Sequence, residues 1–188
     1  MRRVAKPCLV MCAWVALSIG CNLYAEPSSS REYSVKGAFL YNFAKFVSWP
    51  EGAFRDDQIH ITLCILGEDP FGDALAAVEG KTVTGRKVVI KHCETLDDLD
   101  KCHILFISRP EEQNLSKILA KVEDWNTLTV SDIEGFAQRG GIISLITVEK
   151  KIRFEINVDA AERSRLKISS KLLRLAKIVK GEVRGADY

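Results

Sequence analysis

Two pairs of adjacent metal-capable residues, His92-Cys93 and Cys102-His103, come closest in this chain to a metal-binding constellation. Zinc sites take their ligands in steps such as CxxC or HxxxH, which let a single turn present two donors to one ion. Adjacent pairs eight residues apart lack that spacing, so no metal is expected. Ser164-Arg165-Leu166-Lys167 fits the SxxK pattern of penicillin-recognising enzymes. No SDN or KTG element accompanies it, because Ser131-Asp132 is followed by Ile133. GxSxG, HExxH, GxGxxG and P-loop motifs are also missing from the sequence. His60 stands in an apolar run, where a hydrogen-bonded structural histidine is the expectation. The residues therefore predict no catalytic centre, no metal and no cofactor.

The compartment bears on every remaining candidate. Arg2, Arg3 and Lys6 precede an apolar stretch of roughly 14 residues, and Ala25 offers the small residue that a signal peptidase needs. Residues 1–25 thus read as a cleavable signal peptide, with the exported chain starting near Glu26 in an oxidising compartment. A retained anchor would need an apolar run of about 20 residues. Lipidation at Cys21 would call for a larger aliphatic than Ser18 three residues before it. Of the 27 bases and 25 acids in the chain, the signal carries three bases and no acid, leaving 24 against 25. A near-neutral domain has no global field to recruit nucleic acid.

Residues 26–32 are expected to form a polar, flexible lead-in, and VKGAFLYNFAKFVSWP follows with helical periodicity. At 100° per residue Val35, Phe39, Phe43, Phe46 and Val47 share an arc, with Tyr41 and Lys45 facing away, and Pro50 ends the helix. Strands are expected at QIHITLCILG, RKVVIKHC, CHILFIS and TLTVSD, and helices at FGDALAAVEG and EEQNLSKILAKVE. IEGFAQRGG reads as a helical turn closed by glycine, and IISLITVEKKIRFEIN as a hairpin about Glu149 and Lys150. A last helix is expected to carry Leu172, Leu175, Ala176 and Val179 on one face. Alternating strands and helices predict a single α/β domain over 33–180, with a mainly parallel sheet, an antiparallel hairpin at one side and a tail at 181–188. The strand-end crevice of such a sheet would be bordered by Asp69, Ser108 and Asp132, a place for a small ligand.

Loss of the signal leaves Cys64, Cys93 and Cys102. A doubly wound order would set the strands of Cys64 and Cys102 side by side, within disulfide reach, while Cys93 with Cys102 is the rival pairing across one connection. Either bridge is worth on the order of 3 kcal/mol in the loop-entropy account. Residues 159–184 hold eight bases against three acids. That basic face either faces solvent or attracts an acidic partner or anionic lipid.

Six phrases in order, VKGAFLYNFAKFVSWP, CILGEDPFG, GRKVVI, CHILFIS, LTVSD with GFAQRGGII, and FEINVDAAERSRLKISSKLLRLA, resemble the YfiR family of exported bacterial regulators. The resemblance covers nearly all of 33–179. It implies a three-layer Rossmann-like fold and a non-enzymatic periplasmic protein that inhibits the sensor part of an inner-membrane diguanylate cyclase, lowering cyclic di-GMP and biofilm formation. A sensor kinase is the alternative target, an outer-membrane lipoprotein a second partner, and a homodimer a further association. It also implies that Cys64 and Cys102 form the redox-linked disulfide. The family's second bridge cannot form, since GFAQRGGIISLI contains no cysteine. Phe136, Arg153, Glu155 and Asn157, on the turn and hairpin beside the basic segment, are the expected partner contacts.

Overall fold

A computed structural model describes residues 28–54 and 59–181; the expected signal peptide over 1–25 and the tail after Gly181 lie outside the described residues. Helix α1 (Ser28–Phe46) opens the fold, followed by β1 (Val47–Ser48), β2 (His60–Leu66), β3 (Thr82–Val83), β4 (Arg86–Cys93) and β5 (Ile104–Ile107). After α2 (Leu115–Val122) come β6 (Leu128–Ser131), β7 (Ile143–Val148), β8 (Lys151–Asn157), α3 (Val158–Arg163), β9 (Lys167–Ile168), α4 (Ser170–Leu173) and β10 (Lys177–Val179).

Eight strands form one sheet in the order β10-β8-β7-β6-β5-β2-β4-β3, and β1 pairs with β9 in a small antiparallel ribbon. Strands β4, β2, β5, β6 and β7 run parallel, while β7 and β8 form an antiparallel hairpin. The mainly parallel α/β expectation therefore matches the fold. Alternation along β5 shows why ILFI is apolar throughout. Ile104 and Phe106 enter the core layer with Leu40 and Phe43 of α1, and Leu105 and Ile107 enter the layer with Leu115 and Ile118 of α2. A strand covered on both faces cannot carry a polar side. Glu149 and Lys150, with φ of 49° and 61°, turn the hairpin in the left-handed conformation that suits a two-residue connection.

Several local expectations need correction, among them the helix at FGDALAAVEG, of which only a 3-10 turn forms at Gly72–Leu75. Helix α1 begins at Ser28, so part of the expected lead-in is helical. Val35 is 42 % exposed, and Lys36 takes its place inside. The final helix does not form as one element: α4 spans a single turn, and Lys177-Ile178-Val179 instead pairs in parallel with Glu155-Ile156-Asn157 at the sheet edge. The edge of β8 offers backbone partners, and β-branched Ile178 and Val179 suit a strand better than a helix. Leu175, expected on the buried face, stands 73 % exposed.

Candidate functional site

The sheet reverses direction between β2 and β5. From β2 the chain goes to β4 on one side, and from β4 it returns to β5 on the other, which leaves a crevice at the carboxyl ends of these strands. Two loops stitch much of it shut. Ser108 Oγ donates to the Glu68 carbonyl at 2.5 Å, and Gly67 N–H donates to the Cys93 carbonyl at 2.9 Å. Gly67 has φ of +82°, and a Cβ there would lie 2.9 Å from Glu111 Cγ, so glycine is required on both counts.

Beside it, α1 and β6 bring together an ionic cluster. Asp132, just past β6, has a side chain only 1 % exposed. Its Oδ2 accepts from Lys36 Nζ at 2.6 Å and Tyr33 OH at 2.8 Å, and pairs with Arg109 Nη2 at 3.1 Å. Lys36 Nζ also meets Glu32 Oε1 at 2.6 Å, one helical turn earlier. Burial, followed by the bond to Asp132, pushes the Tyr33 hydroxyl above its usual range, so it acts as a neutral donor. Asp132 Oδ1 is buried without a hydrogen-bond partner. Next to the cluster opens a recess of about 660 Å³ lined by residues that include Tyr33, Phe71, Asp69 and Asp73. Asp69 is already engaged: Oδ1 accepts from Phe71 N–H at 2.8 Å, and Oδ2 pairs with His92 Nε2 at 2.9 Å.

The crevice thus gathers Asp69, Ser108 and Asp132 as expected, but each is committed to an internal bond. Arg109, next to Ser108, borders the crevice as its place at the end of the strand implies, whereas Tyr33 and Lys36 come from α1, which the strand-end rule does not reach. A helical wheel carries the signal for Lys36, which falls on the Leu40 and Phe43 face, one turn after an acid.

The metal-like pairs do not converge. His92 turns to Asp69 at the strand ends, whereas His103 Nδ1 accepts from Thr62 N–H at 3.0 Å and its ring stacks on Phe54 at 4.4 Å. Among the described residues no group of three His, Cys, Asp or Glu is arranged to hold an ion. Ser164 follows the end of α3 and Lys167 lies in β9, so the SxxK residues are not on one helical face. Strands β2 and β5 are neighbours, as the Cys64 with Cys102 pairing requires. The three cysteines are nevertheless free thiols here, buried together in the apolar cluster beneath α2.

The expected partner contacts separate sharply by burial. Phe136 and Asn157 are fully buried, and Glu155 is nearly so. A Cβ on Gly141 would stand 2.1 Å from the Phe136 ring, which shows how tightly that ring closes the turn. Asn157 Oδ1 accepts from Ala160 N–H at 2.9 Å, capping α3, while its Nδ2 donates to the Ala137 carbonyl at 2.7 Å. Glu155 bonds Lys177 at 2.7 Å and Gln138 at 2.8 Å; burial pulls its pKa upward, but these two bonds together hold it below the usual carboxylate range. These three side chains hold the turn, the hairpin and β10 together, and none presents a free contact surface. Arg153 is exposed. It pairs across the hairpin with Ile146, and Val148 pairs with Lys151, forming an outward face with Val148 47 % exposed.

A family profile described as YfiR/HmsC-like matches residues 33–177. The chain belongs to the YfiR/HmsC-like family. The match runs from Tyr33 of the ionic cluster to Lys177 of β10, and so takes in the crevice, all three core cysteines and the hairpin. YfiR/HmsC-like proteins are periplasmic and regulatory rather than catalytic, and the family points to diguanylate cyclase signalling through a membrane protein's periplasmic sensor domain. Among the described residues no helix is long and apolar enough to cross a membrane.

Proposed function

We propose that this YfiR/HmsC-like protein binds the periplasmic sensor part of an inner-membrane diguanylate cyclase and holds it in its inactive state, lowering cyclic di-GMP. The observation that carries the reading is the family match over 33–177. The crevice residues are engaged internally, Asp132 with Lys36 and Tyr33, Asp69 with Phe71 and His92, and Ser108 with the Glu68 carbonyl.

The contact falls on the outward face of the β7–β8 hairpin. Antiparallel hairpins commonly pack one face and leave the other free, and here Phe154 and Ile156 enter the core while Ile146, Val148, Lys151 and Arg153 face out. Exposed Val148 supplies apolar area, and Lys151 and Arg153 select an acidic counterpart. Inhibition then follows from differential affinity: a ligand that prefers one state of its target shifts the population toward it.

A photo-crosslinking residue placed at Val148 of the exported protein tests this. An inner-membrane protein with an outer domain and a cytoplasmic cyclase should be captured there, and not from position Lys87 on the far side of the sheet. Equal capture from both positions, or none from Val148, contradicts the reading; capture of a histidine kinase would redirect it to a different target.

A further inference from the structure

Between Arg163 and Lys180 the chain carries seven bases and no acid. All seven residues are exposed, and among the described residues only Lys177 has an ion-pair partner, Glu155 at 2.7 Å. The run ends at the open edge of the large sheet, since β10 pairs with β8 and has no strand beyond it among the described residues. Here the bases meet uncovered apolar side chains. Leu175 is 73 % exposed and Ile178 51 %, and they stand among Lys171, Arg174, Lys177 and Lys180.

We propose that this edge, α4 with β10, is a docking surface for an anionic phospholipid bilayer, with Leu175 and Ile178 entering the boundary below the headgroups and the surrounding bases meeting lipid phosphates. The proposal goes beyond the regulatory reading and does not depend on the identity of any protein target.

The local structure turns both kinds of side chain outward. Ser169 caps α4 by accepting from Leu172 N–H, and Leu172, 4 % exposed, anchors the single turn in the core. Lys171 and Arg174 are left on its solvent side. Leu175 N–H donates to the Leu172 carbonyl at 3.0 Å, which carries the turn one residue further and sets Leu175 beyond the core. In β10 the register places Lys177 beside Glu155 and Ile178 beside Ile156, so these two residues point to opposite faces of the sheet. Ile178 lies on the face of the α1 layer with Ile156, yet stays half uncovered.

Lysines on an edge strand serve in many proteins only to discourage pairing with another sheet. That account leaves the two aliphatics unexplained. A protein partner is also a poorer match, because lysine is depleted in protein interfaces, whereas roughly four to eight bases beside exposed aliphatic side chains are the composition of surfaces that lie on anionic lipid. Each base near such a surface strengthens binding about fivefold, and the attraction fades over a Debye length of about 8 Å at physiological salt. The two aliphatic side chains add a part that salt does not screen. Docking places the protein where a membrane-held target is met at raised effective concentration.

Co-sedimentation with vesicles tests this, using the exported chain from Glu26 onward so that the apolar stretch of the expected signal cannot contribute. At low salt the wild type should pellet with vesicles of phosphatidylethanolamine and phosphatidylglycerol, and should stay in solution with vesicles of phosphatidylcholine. Lys171→Glu with Arg174→Glu should weaken binding by about twentyfold or more, and Leu175→Ser with Ile178→Thr by about tenfold. Lys87→Glu with Lys91→Glu, an equal change of charge on β4 across the sheet, should bind within about twofold of wild type. Wild type that ignores the anionic vesicles overturns the proposal however the variants fold, as does equal pelleting with phosphatidylcholine or an equal loss in the β4 variant. Retention of the wild type on immobilised poly-glutamate with no vesicle binding overturns it in favour of an acidic protein segment.

Discussion

At the residue scale, Asp132 and Lys36 are the most demanding side chains in the molecule. Both are about 1 % exposed and lie 2.6 Å apart, so each meets the desolvation cost of the other. Removing one partner of such a pair leaves an uncompensated charge, typically at a cost of about 3 to 5 kcal/mol, whereas replacing both with apolar residues is far cheaper. Lys36→Met and Asp132→Leu should each lower stability in urea by about 3 kcal/mol, with the double variant losing much less than the sum. Additive losses of less than about 1 kcal/mol would show that the pair is not coupled. His103 supplies a pH signature. Burial, followed by the charges of His60 and Arg86, lowers its pKa from 6.5 to about 4. The unfolded chain therefore takes up the proton first, and the stability due to neutral His103 is full above about pH 6.5 and is lost as the pH falls toward 4. His103→Gln should weaken the fold at pH 7 yet flatten this loss, on the order of 2 kcal/mol, relative to wild type. Parallel slopes for the two proteins would contradict the assignment. The burial of His103 was not legible in the sequence, where it stood out only as half of a metal-like pair, because it depends on Trp49 and Phe54, which come from a distant segment.

At the element scale, the strands were legible wherever a run of apolar residues was bounded by turn formers, as at RKVVIKHC, which forms β4 without a shift in either end. The hairpin turn was equally plain from Glu149 and Lys150 between alternating segments. The last segment was not. Leu172, Leu175, Ala176 and Val179 repeat at helical spacing, but only the open edge of β8 reveals that Lys177-Ile178-Val179 has a better partner outside its own chain segment. The candidate contacts followed the same rule: alternation alone cannot tell an outward residue from one covered by the next strand, so Glu155 and Asn157 read as surface until β10 and the 133–141 turn are placed over them. Asn157→Ala removes the α3 cap and the bond to Ala137 together, and should cost about 1 to 2 kcal/mol in thermal or urea unfolding. A loss within a few tenths of wild type would show that the cap is dispensable.

At the scale of the whole molecule, the proposed function is that of a protein that acts by being bound, with the outward hairpin face as its contact. Its family was readable from six ordered phrases, while the surface that meets the partner was not, since contact surfaces leave no periodicity. Val148→Asp with Arg153→Glu should leave the urea midpoint within about 0.5 kcal/mol of wild type, because exposed substitutions seldom cost more, and should abolish capture of the membrane target. The central claim is tested most directly by measuring cyclic di-GMP in cells that lack the protein and in the same cells carrying either the wild type or this double variant. The account predicts a several-fold rise without the protein, reversed by the wild type and not by the variant. Unchanged cyclic di-GMP on removal, or full reversal by the variant, would contradict it.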